Sequence, residues 1–273
     1  MTRSLFTILF AGIILISSLA AGLLFLNPDT SMDVETMAVA NQLYNSGEYS
    51  AAAQVYEQLL SQGKEHSSLY YNLGNAYYAQ GDIGRAILNY QRALRLDPRD
   101  QDIRANLDLV REQSAIVLPQ SSNPLDDLAK FTNSWLTLNE TALITLGIWF
   151  LFGFLVFSYR QLRPGRLRTL AINGIFFTLL ILLAVGVSFG SRLYIEGTKP
   201  EAVIITDQVM INSSPEDDTS TEISLSSGTE VKLIDIQGDW AKLGFPDDVF
   251  EGWIPLSTVE TVSLNQGAVE TTF

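Results

Sequence analysis

The chain has 273 residues, a net charge of −13, no cysteine and one histidine, and 47% of its residues are hydrophobic. The lack of cysteine excludes disulfides, thiolate nucleophiles and cysteine-ligated metals. The single histidine, His66, lies in the polar stretch 63–68, which is typical of a surface loop. With no nucleophile–base set and no metal-ligand set, we predict a protein that is not an enzyme and has no cofactor or metal site. The acidic charge disfavours nucleic-acid partners.

The N-terminal segment 1–28 carries a long apolar run. Residues 4–26 are uncharged and follow Arg3, which is typical of a signal peptide or of a signal anchor. The run is long enough to cross a bilayer, and Ser18-Leu19-Ala20 offers a small-residue cleavage site. Both alternatives stay open, and both predict that the next segment is exported.

Residues 31–118 have apolar positions three and four apart, which is typical of amphipathic helices. The second half of this segment has a characteristic set of small, apolar and aromatic positions: Tyr70, Leu73, Gly74, Tyr77, Ala86, Tyr90 and Pro98. This pattern resembles a tetratricopeptide repeat (TPR). Thirty-four residues earlier, a weaker copy has Val39, Ala40, Leu43, Ala52 and Tyr56. After Pro98, an apolar stripe of Ile103, Leu107 and Val110 predicts a helix that caps the repeats.

The first helix of each TPR pair is expected to line a concave groove. Helical spacing gives six partner-binding candidates: Met37, Asn41, Tyr44, Tyr71, Asn75 and Tyr78. Asn41 and Asn75 match the asparagines with which some TPR domains clamp a peptide carboxylate, but Met37 stands where such a clamp has lysine. This pattern favours a generic peptide groove over a clamp; alternatively, the asparagines bond a neighbouring turn.

Two further apolar runs, 142–159 and 169–191, predict a transmembrane hairpin over residues 142–191. Neither run holds an ionisable residue, which favours an anchor over a transport pathway. The loop 160–168 between them carries four arginines, so the positive-inside rule makes it cytoplasmic. The protein is then expected in the cytoplasmic membrane of a bacterium, with the connector 119–141 and the flanking domains on the outer side.

Residues 197–262 show five or six short alternating runs separated by turn residues, which predicts an all-β small barrel, and 263–273 is expected to be a tail. Within the predicted barrel 197–262, four segments resemble the motifs of bacterial SH3-like domains: 211–215, 228–231, 238–240 and 252–255. Asn212 stands where that family usually has arginine. Trp240 and Trp253 are candidates for an aromatic ligand surface; the alternative is that both are core residues.

The order of these segments resembles the BatE-like proteins of bacterial aerotolerance operons. Residues 71–78, 84–87, 95–100 and 135–140 carry that resemblance. It implies a scaffold without catalysis, acting beside membrane proteins with von Willebrand A domains. The predicted fold class is therefore a multidomain membrane protein with an all-α TPR repeat, a helical hairpin and an all-β SH3-like barrel. The alternative function is a cell-wall-sensing or signalling protein whose SH3-like domain binds peptidoglycan or peptide.

Overall fold

A computed structural model describes residues 34–114, 135–198, 200–215, 220–244 and 251–264. The expected signal segment, residues 119–134 of the connector and the tail after residue 264 lie outside these ranges. The described residues fall into two compact units. One contains Leu143–Val185, and the other contains the described parts of Asp33–Ala142 and Gly186–Phe273.

The N-terminal part of the larger unit is a series of antiparallel helices. Their bounds are α1 Val34–Asn45, α2 Tyr49–Ser61, α3 Ser67–Gln80, α4 Ile83–Leu96 and α5 Gln101–Arg111. Gly47 and Gly81 follow α1 and α3 with φ of 84° and 83°, the left-handed conformation that lets the chain reverse tightly. Helix α4 ends two residues before Pro98, as expected for a residue that cannot continue a helix.

Helices α3 and α4 cross closely at Gly74. A Cβ atom on Gly74 would lie 2.8 Å from Cε1 of Tyr90, so no side chain fits between the glycine and the ring. Ala40, Ala52 and Ala86 are all fully buried, so small residues occupy the positions that the repeat pattern assigns to them.

Helix α5 packs on α4 through the apolar stripe that the sequence predicts. Ile103, Leu107 and Val110 are its buried residues. Asp100 begins the helix because its carboxylate accepts hydrogen bonds from the backbone N–H groups of Asp102 and Ile103, at 2.9 and 3.1 Å.

Two long apolar helices follow, α6 Leu138–Gln161 and α7 Arg166–Thr198. Within them, Asn139–Gln161 and Arg166–Ser191 have mean hydropathies of 2.1 and 2.5, and both are long and apolar enough to cross a membrane. Helix α6 begins in a capping box: Thr137 N–H donates to Glu140 Oε2 at 2.9 Å, and Glu140 N–H donates to Thr137 Oγ1 at 3.1 Å.

The C-terminal part of the larger unit is a curled antiparallel sheet. The described strands are β1 Glu201–Ile204, β2 Gln208–Asn212, β3 Ser220–Ser226, β4 Glu230–Gln237, β5 Trp240–Gly244, β6 Glu251–Pro255 and β7 Val259–Thr261. They lie in the order β3-β2-β6-β5-β4-β1-β7. The core on one face includes Ile204, Ile211, Leu233, Leu243 and Ile254, all of them at most 1% exposed.

Strand β3 is a strand that the sequence pattern did not predict. It reads Ser-Thr-Glu-Ile-Ser-Leu-Ser, and its Leu225 belongs to the core. Backbone pairing to β2 holds the strand in place, with Met210 opposite Ser224. Pairing with a neighbour therefore outweighs the weak apolar alternation of the segment.

The helices and the sheet meet at the N-terminus of α4. The backbone N–H of Gly84 donates to Ser227 Oγ at 3.0 Å. A Cβ atom on Gly84 would lie 2.5 Å from the carbonyl oxygen of Ile204 and 2.9 Å from the Cα atom of Ile205. Since both of these are backbone atoms, the helix approaches β1 this closely only because residue 84 has no side chain.

Arginines on the helices extend this interface by polar contacts. Arg92, 8% exposed, donates to the carbonyl oxygen of Thr261 at 2.8 Å. Arg111 forms a two-pronged pair with Glu230, at 2.6 and 2.9 Å. Burial opposes the charged form of Arg111, but the hydrogen bonds and charge of Glu230 outweigh it and raise the pKa of the guanidinium. The helices and the sheet thus pack as parts of one unit.

We predict that Gly84→Ala destabilises the full-length protein by roughly 1–3 kcal/mol, because the methyl group would overlap the backbone of β1. This loss would appear although alanine favours a helix over glycine by about 1 kcal/mol. Thermal unfolding in detergent, followed by circular dichroism, measures it.

Gly190→Ala is the matched control, since Gly190 lies in helix α7 with open space around it. It should leave the melting temperature unchanged or raised. Equal melting temperatures for Gly84→Ala and the wild type would contradict the packing of α4 on β1.

Candidate protein-binding groove

A cavity of about 310 Å³ opens where helices α1, α2 and α3 face one another. Its lining consists of Asn41, Tyr44, Asn45, Tyr56, Asn72 and Asn75. Three of these residues, Asn41, Tyr44 and Asn75, are groove residues that the repeat spacing predicts. Every lining side chain is an amide or a phenol, so the groove offers hydrogen-bonding groups without formal charge.

Asn41 is the centre of the first hydrogen-bonded set in this groove. Its Oδ1 atom accepts from Tyr56 Oη at 2.7 Å and from Asn72 Nδ2 at 3.2 Å. Tyr56 belongs to α2 and Asn72 to α3, so one carbonyl oxygen connects the two helices that follow α1. Tyr56 is 1% exposed, so its hydroxyl needs this acceptor.

The same set recurs one repeat later around Asn75. Its Oδ1 atom accepts from Tyr90 Oη at 2.7 Å and from Asn106 Nδ2 at 3.1 Å. The partners again lie 15 and 31 residues further along the chain, as they do for Asn41. We call these two sets together the asparagine ladder. Asn106 stands where Asn72 stands one repeat earlier, so α5 follows the repeat geometry as well as capping it.

The phenols of the groove remain neutral near physiological pH. Burial raises the pKa of Tyr56 to about 12, with a smaller contribution from Tyr44. Burial also raises the pKa of Tyr44, and the nearby Tyr49 and Tyr71 add to the shift. The groove therefore presents neutral hydroxyls and the side-chain NH2 groups of Asn41 and Asn75, for which the described residues supply no acceptor.

The other three predicted groove residues do not line the cavity. Met37 is 6% exposed and lies in the core of the helical pairs. Tyr71 packs against the ring of Tyr90, with 5.9 Å between centroids, and Tyr78 Oη accepts from Gln113 Nε2 at 2.8 Å. Tyr71 and Tyr78 continue the same helix face toward α5, and Met37, which stands one repeat before Tyr71, is buried.

Trp240 and Trp253 lie together on the face of the sheet opposite its core. Ala241 and Leu243 alternate with Trp240 toward the core, and Lys242, paired directly with Trp253, faces the same side as both tryptophans. Neither tryptophan belongs to the core cluster, although Trp253 is only 8% exposed. An ion pair between Lys242 and Glu251 lies on the same face.

His66 has a structural position at the start of helix α3. Its Nδ1 atom accepts from the backbone N–H of Ser68 at 3.3 Å and lies 2.9 Å from the hydroxyl of Ser68. The side chain therefore caps the helix. Among the described residues, no group of three potential metal ligands comes together.

The repeat itself has a counterpart among known families. Residues 67–100 match the family model described as Tetratricopeptide repeat, a segment that covers α3, α4 and Pro98. No curated protein matches the chain. The match confirms the TPR repeat that the sequence predicts, and TPR repeats are typically interaction modules that bind proteins.

Sequence reasoning missed Asn45, Tyr56 and Asn72 as groove residues and Asn106 as part of the ladder. The repeat spacing contained a usable signal, because Asn41, Tyr56 and Asn72 recur as Asn75, Tyr90 and Asn106 after 34 residues. A repeat that preserves an amide and its phenol partner together indicates a hydrogen bond between them.

We predict that Asn75→Ala lowers the stability of the protein by roughly 1–3 kcal/mol, because it leaves the buried hydroxyl of Tyr90 without its acceptor. The amide of Asn106 loses one of its two acceptors and keeps Tyr71 Oη at 3.0 Å. Asn45→Ala removes an exposed amide of the same groove, for which the described residues provide no partner, and should change stability by less than about 0.5 kcal/mol. Chemical denaturation of both variants tests the ladder, which would be ruled out if Asn45→Ala were the more damaging change.

Proposed function

We propose that this chain is a membrane-anchored adaptor whose TPR groove binds an uncharged, extended segment of a partner protein outside the cytoplasmic membrane. The observation that carries the proposal is the charge-free cavity of amides and phenols on a TPR repeat. In the same proposal, 31–118 is the TPR domain, 142–191 the membrane hairpin and 197–262 an SH3-like domain with a second binding surface.

The asparagine ladder accounts for how such a groove would recognise a peptide. The side-chain oxygens of Asn41 and Asn75 are occupied within the protein, which fixes the orientation of both amides. Their NH2 groups are thereby presented as donors one repeat apart. Main-chain carbonyl oxygens of an extended peptide are neutral acceptors and match donors of this kind. A carboxylate would find no lysine or arginine among the cavity-lining residues.

Several features support the membrane anchor and its orientation. Helices α6 and α7 have the required length and hydropathy, and only 6% and 11% of their most apolar 18-residue stretches are buried. Arg160, Arg163, Arg166 and Arg168 cluster where the two helices connect, which favours a cytoplasmic loop. The TPR helices and the sheet flank the hairpin in sequence. Because α4 contacts β1 and Arg111 pairs with Glu230, the orientation proposed here has the helices and the sheet on the same side of the membrane.

The wider setting follows from the BatE-like order of segments. An adaptor of this kind would act in a Bat-type envelope complex, with von Willebrand A domain membrane proteins as its protein partners. The groove would hold a segment of one such partner, and the hairpin would keep the complex at the membrane.

Topology gives the first test of this proposal. The chain has no cysteine, so single cysteines can be introduced at the exposed positions Gln62, Gln237 and Gln161 without background labelling. In intact cells, an impermeant maleimide should label the first two, and it should label Gln161→Cys only after the membrane is permeabilised. The reverse pattern would refute the proposed orientation.

Photocrosslinking tests the groove. A photoreactive amino acid at Asn45, inside the cavity, should capture the partner, whereas the same residue at the exposed Gln58 of helix α2, outside the cavity lining, should not. Tyr44→Ala should then reduce capture at Asn45 by roughly tenfold or more, as is usual for the loss of a tyrosine anchor. Undiminished capture in Tyr44→Ala would show that the partner binds elsewhere.

A second candidate function rests on the sheet. Trp240 is partly exposed on the face opposite the core, which favours stacking of a ligand on its ring, while Trp253 lies buried on the same face. The chain would then sense the cell wall or a peptide through its SH3-like domain. Loss of cell-wall fragment binding in Trp240→Ala, with partner capture at Asn45 unchanged, would support this candidate.

A further inference from the structure

A second cavity of about 360 Å³ lies on another side of the helical repeat and shares no lining residue with the groove. Helices α2, α3 and α4 form most of its wall, and Glu260 of strand β7 and Leu264 complete it. The helical repeat and the C-terminal part of the chain therefore both contribute to its wall. Its volume lies within the range of small-ligand sites.

One buried acceptor in this cavity lacks a donor. Asn89 is 2% exposed, and its Nδ2 atom donates to the carbonyl oxygen of Arg85 at 2.8 Å. Within the described part of the chain, its Oδ1 atom has no hydrogen-bond partner. A buried carbonyl oxygen without a donor costs about 1–3 kcal/mol, so a donor that arrives with a ligand would be stabilising.

The cations that line the cavity already have partners. Arg85 pairs with Asp82 at 2.9 Å. Arg92 donates to the carbonyl oxygen of Thr261 at 2.8 Å and pairs with Glu260 at 3.4 Å. Neither arginine is available as the principal site for an anion.

Two lining carboxylates have no cation within ion-pair distance among the described residues. Glu57 accepts a hydrogen bond from Tyr77, and Glu65 lies on the rim formed by the start of α3. Burial raises the pKa of Glu65, and the charge of Arg92 only partly opposes this shift, so a cation beside Glu65 would stabilise its ionised form. Leu60, Leu73 and Leu88 supply an apolar wall near these acceptors.

We propose that this cavity binds a cationic amine on an aliphatic stem, with the ammonium group donating to Asn89 Oδ1 and to the carboxylates of Glu57 and Glu65, and the stem lying on the leucines. Both a lysine side chain of a peptide and a free alkyl diamine have this chemistry. Because the cavity includes Glu260 and Leu264, the bound amine also stabilises the packing of the helices on the sheet.

Calorimetric titration of the full-length protein in detergent tests the site with three probes: N-acetyl-lysine methylamide, its Nε-acetylated neutral counterpart, and 1,5-diaminopentane. At least one charged probe should bind and raise the melting temperature, while the neutral counterpart should bind at least tenfold more weakly. Tighter binding of the lysine amide identifies a peptide side chain as the source, and tighter binding of the diamine identifies a free amine. Measurable binding of the charged and the acetylated lysine amides with equal affinity, or no binding of either charged probe, would overturn the proposal.

Single substitutions distinguish binding at this site from nonspecific attraction to an acidic protein and from an effect on folding. Glu65→Gln should weaken binding of the charged probe by roughly tenfold, the equivalent of about 1.4 kcal/mol. Glu48→Gln removes the same charge from an exposed position outside the cavity and should have no effect. An equal loss of affinity in both variants would show that the probe binds by nonspecific electrostatic attraction and would overturn the proposal.

Asn89→Leu gives a second, independent readout. Without ligand, it should leave the melting temperature unchanged or raised, because the acceptor that lacks a donor is removed, yet it should abolish amine binding. Retained binding in Asn89→Leu would contradict the proposal. Tyr44→Ala, which alters the groove alone, should leave amine binding intact, so this test succeeds or fails independently of the peptide groove.

Discussion

The packing of helix α4 between two different partners is the constraint on which the larger unit depends. At its N-terminus, Gly84 brings the helix against the backbone of β1, where no side chain would fit. Further along, Arg92 reaches the carbonyl oxygen of Thr261. On another face, Tyr90 lies against Gly74 and donates to Asn75 in the groove. One helix therefore fixes both the pitch of the repeat and the position of the sheet, and it also carries Asn89 into the second cavity.

The asparagine ladder joins stability to recognition in the groove. Each ladder asparagine uses its carbonyl oxygen within the protein and leaves its NH2 group for a ligand. The same hydrogen bonds that hold neighbouring helices in register also orient the donors, so little side-chain freedom would be lost on binding. A short array is expected to gain most from this arrangement, because its few repeats provide little apolar burial between neighbouring helical pairs.

The interface between helices and sheet relies on close backbone approach and on charged hydrogen bonds more than on large apolar side chains. Arg92 is almost buried, and removal of its acceptors would leave a buried charge, which is far more costly than the loss of a surface ion pair. The pairing of Arg111 with Glu230 adds directional contacts at the other end. Such an interface fixes one relative arrangement of the groove and the sheet, so a ligand in the second cavity would stabilise that arrangement.

The sequence by itself determined the elements whose signal is local or periodic. The repeat spacing predicted the small residue at Gly74, the buried Tyr90 and the apolar stripe of α5, and hydropathy predicted the two apolar helices, because these depend on neighbours three to four residues away. Strand β3 escaped prediction because its partner strand, rather than its own alternation, holds it in place. Only the tertiary structure decided that Gly84 contacts β1, that Arg92 meets Thr261 and that Asn89 lines a cavity, since these contacts join residues more than 100 positions apart or arise from the packing of several elements. A sequence periodicity of two to four residues carries no information about contacts across such sequence separations.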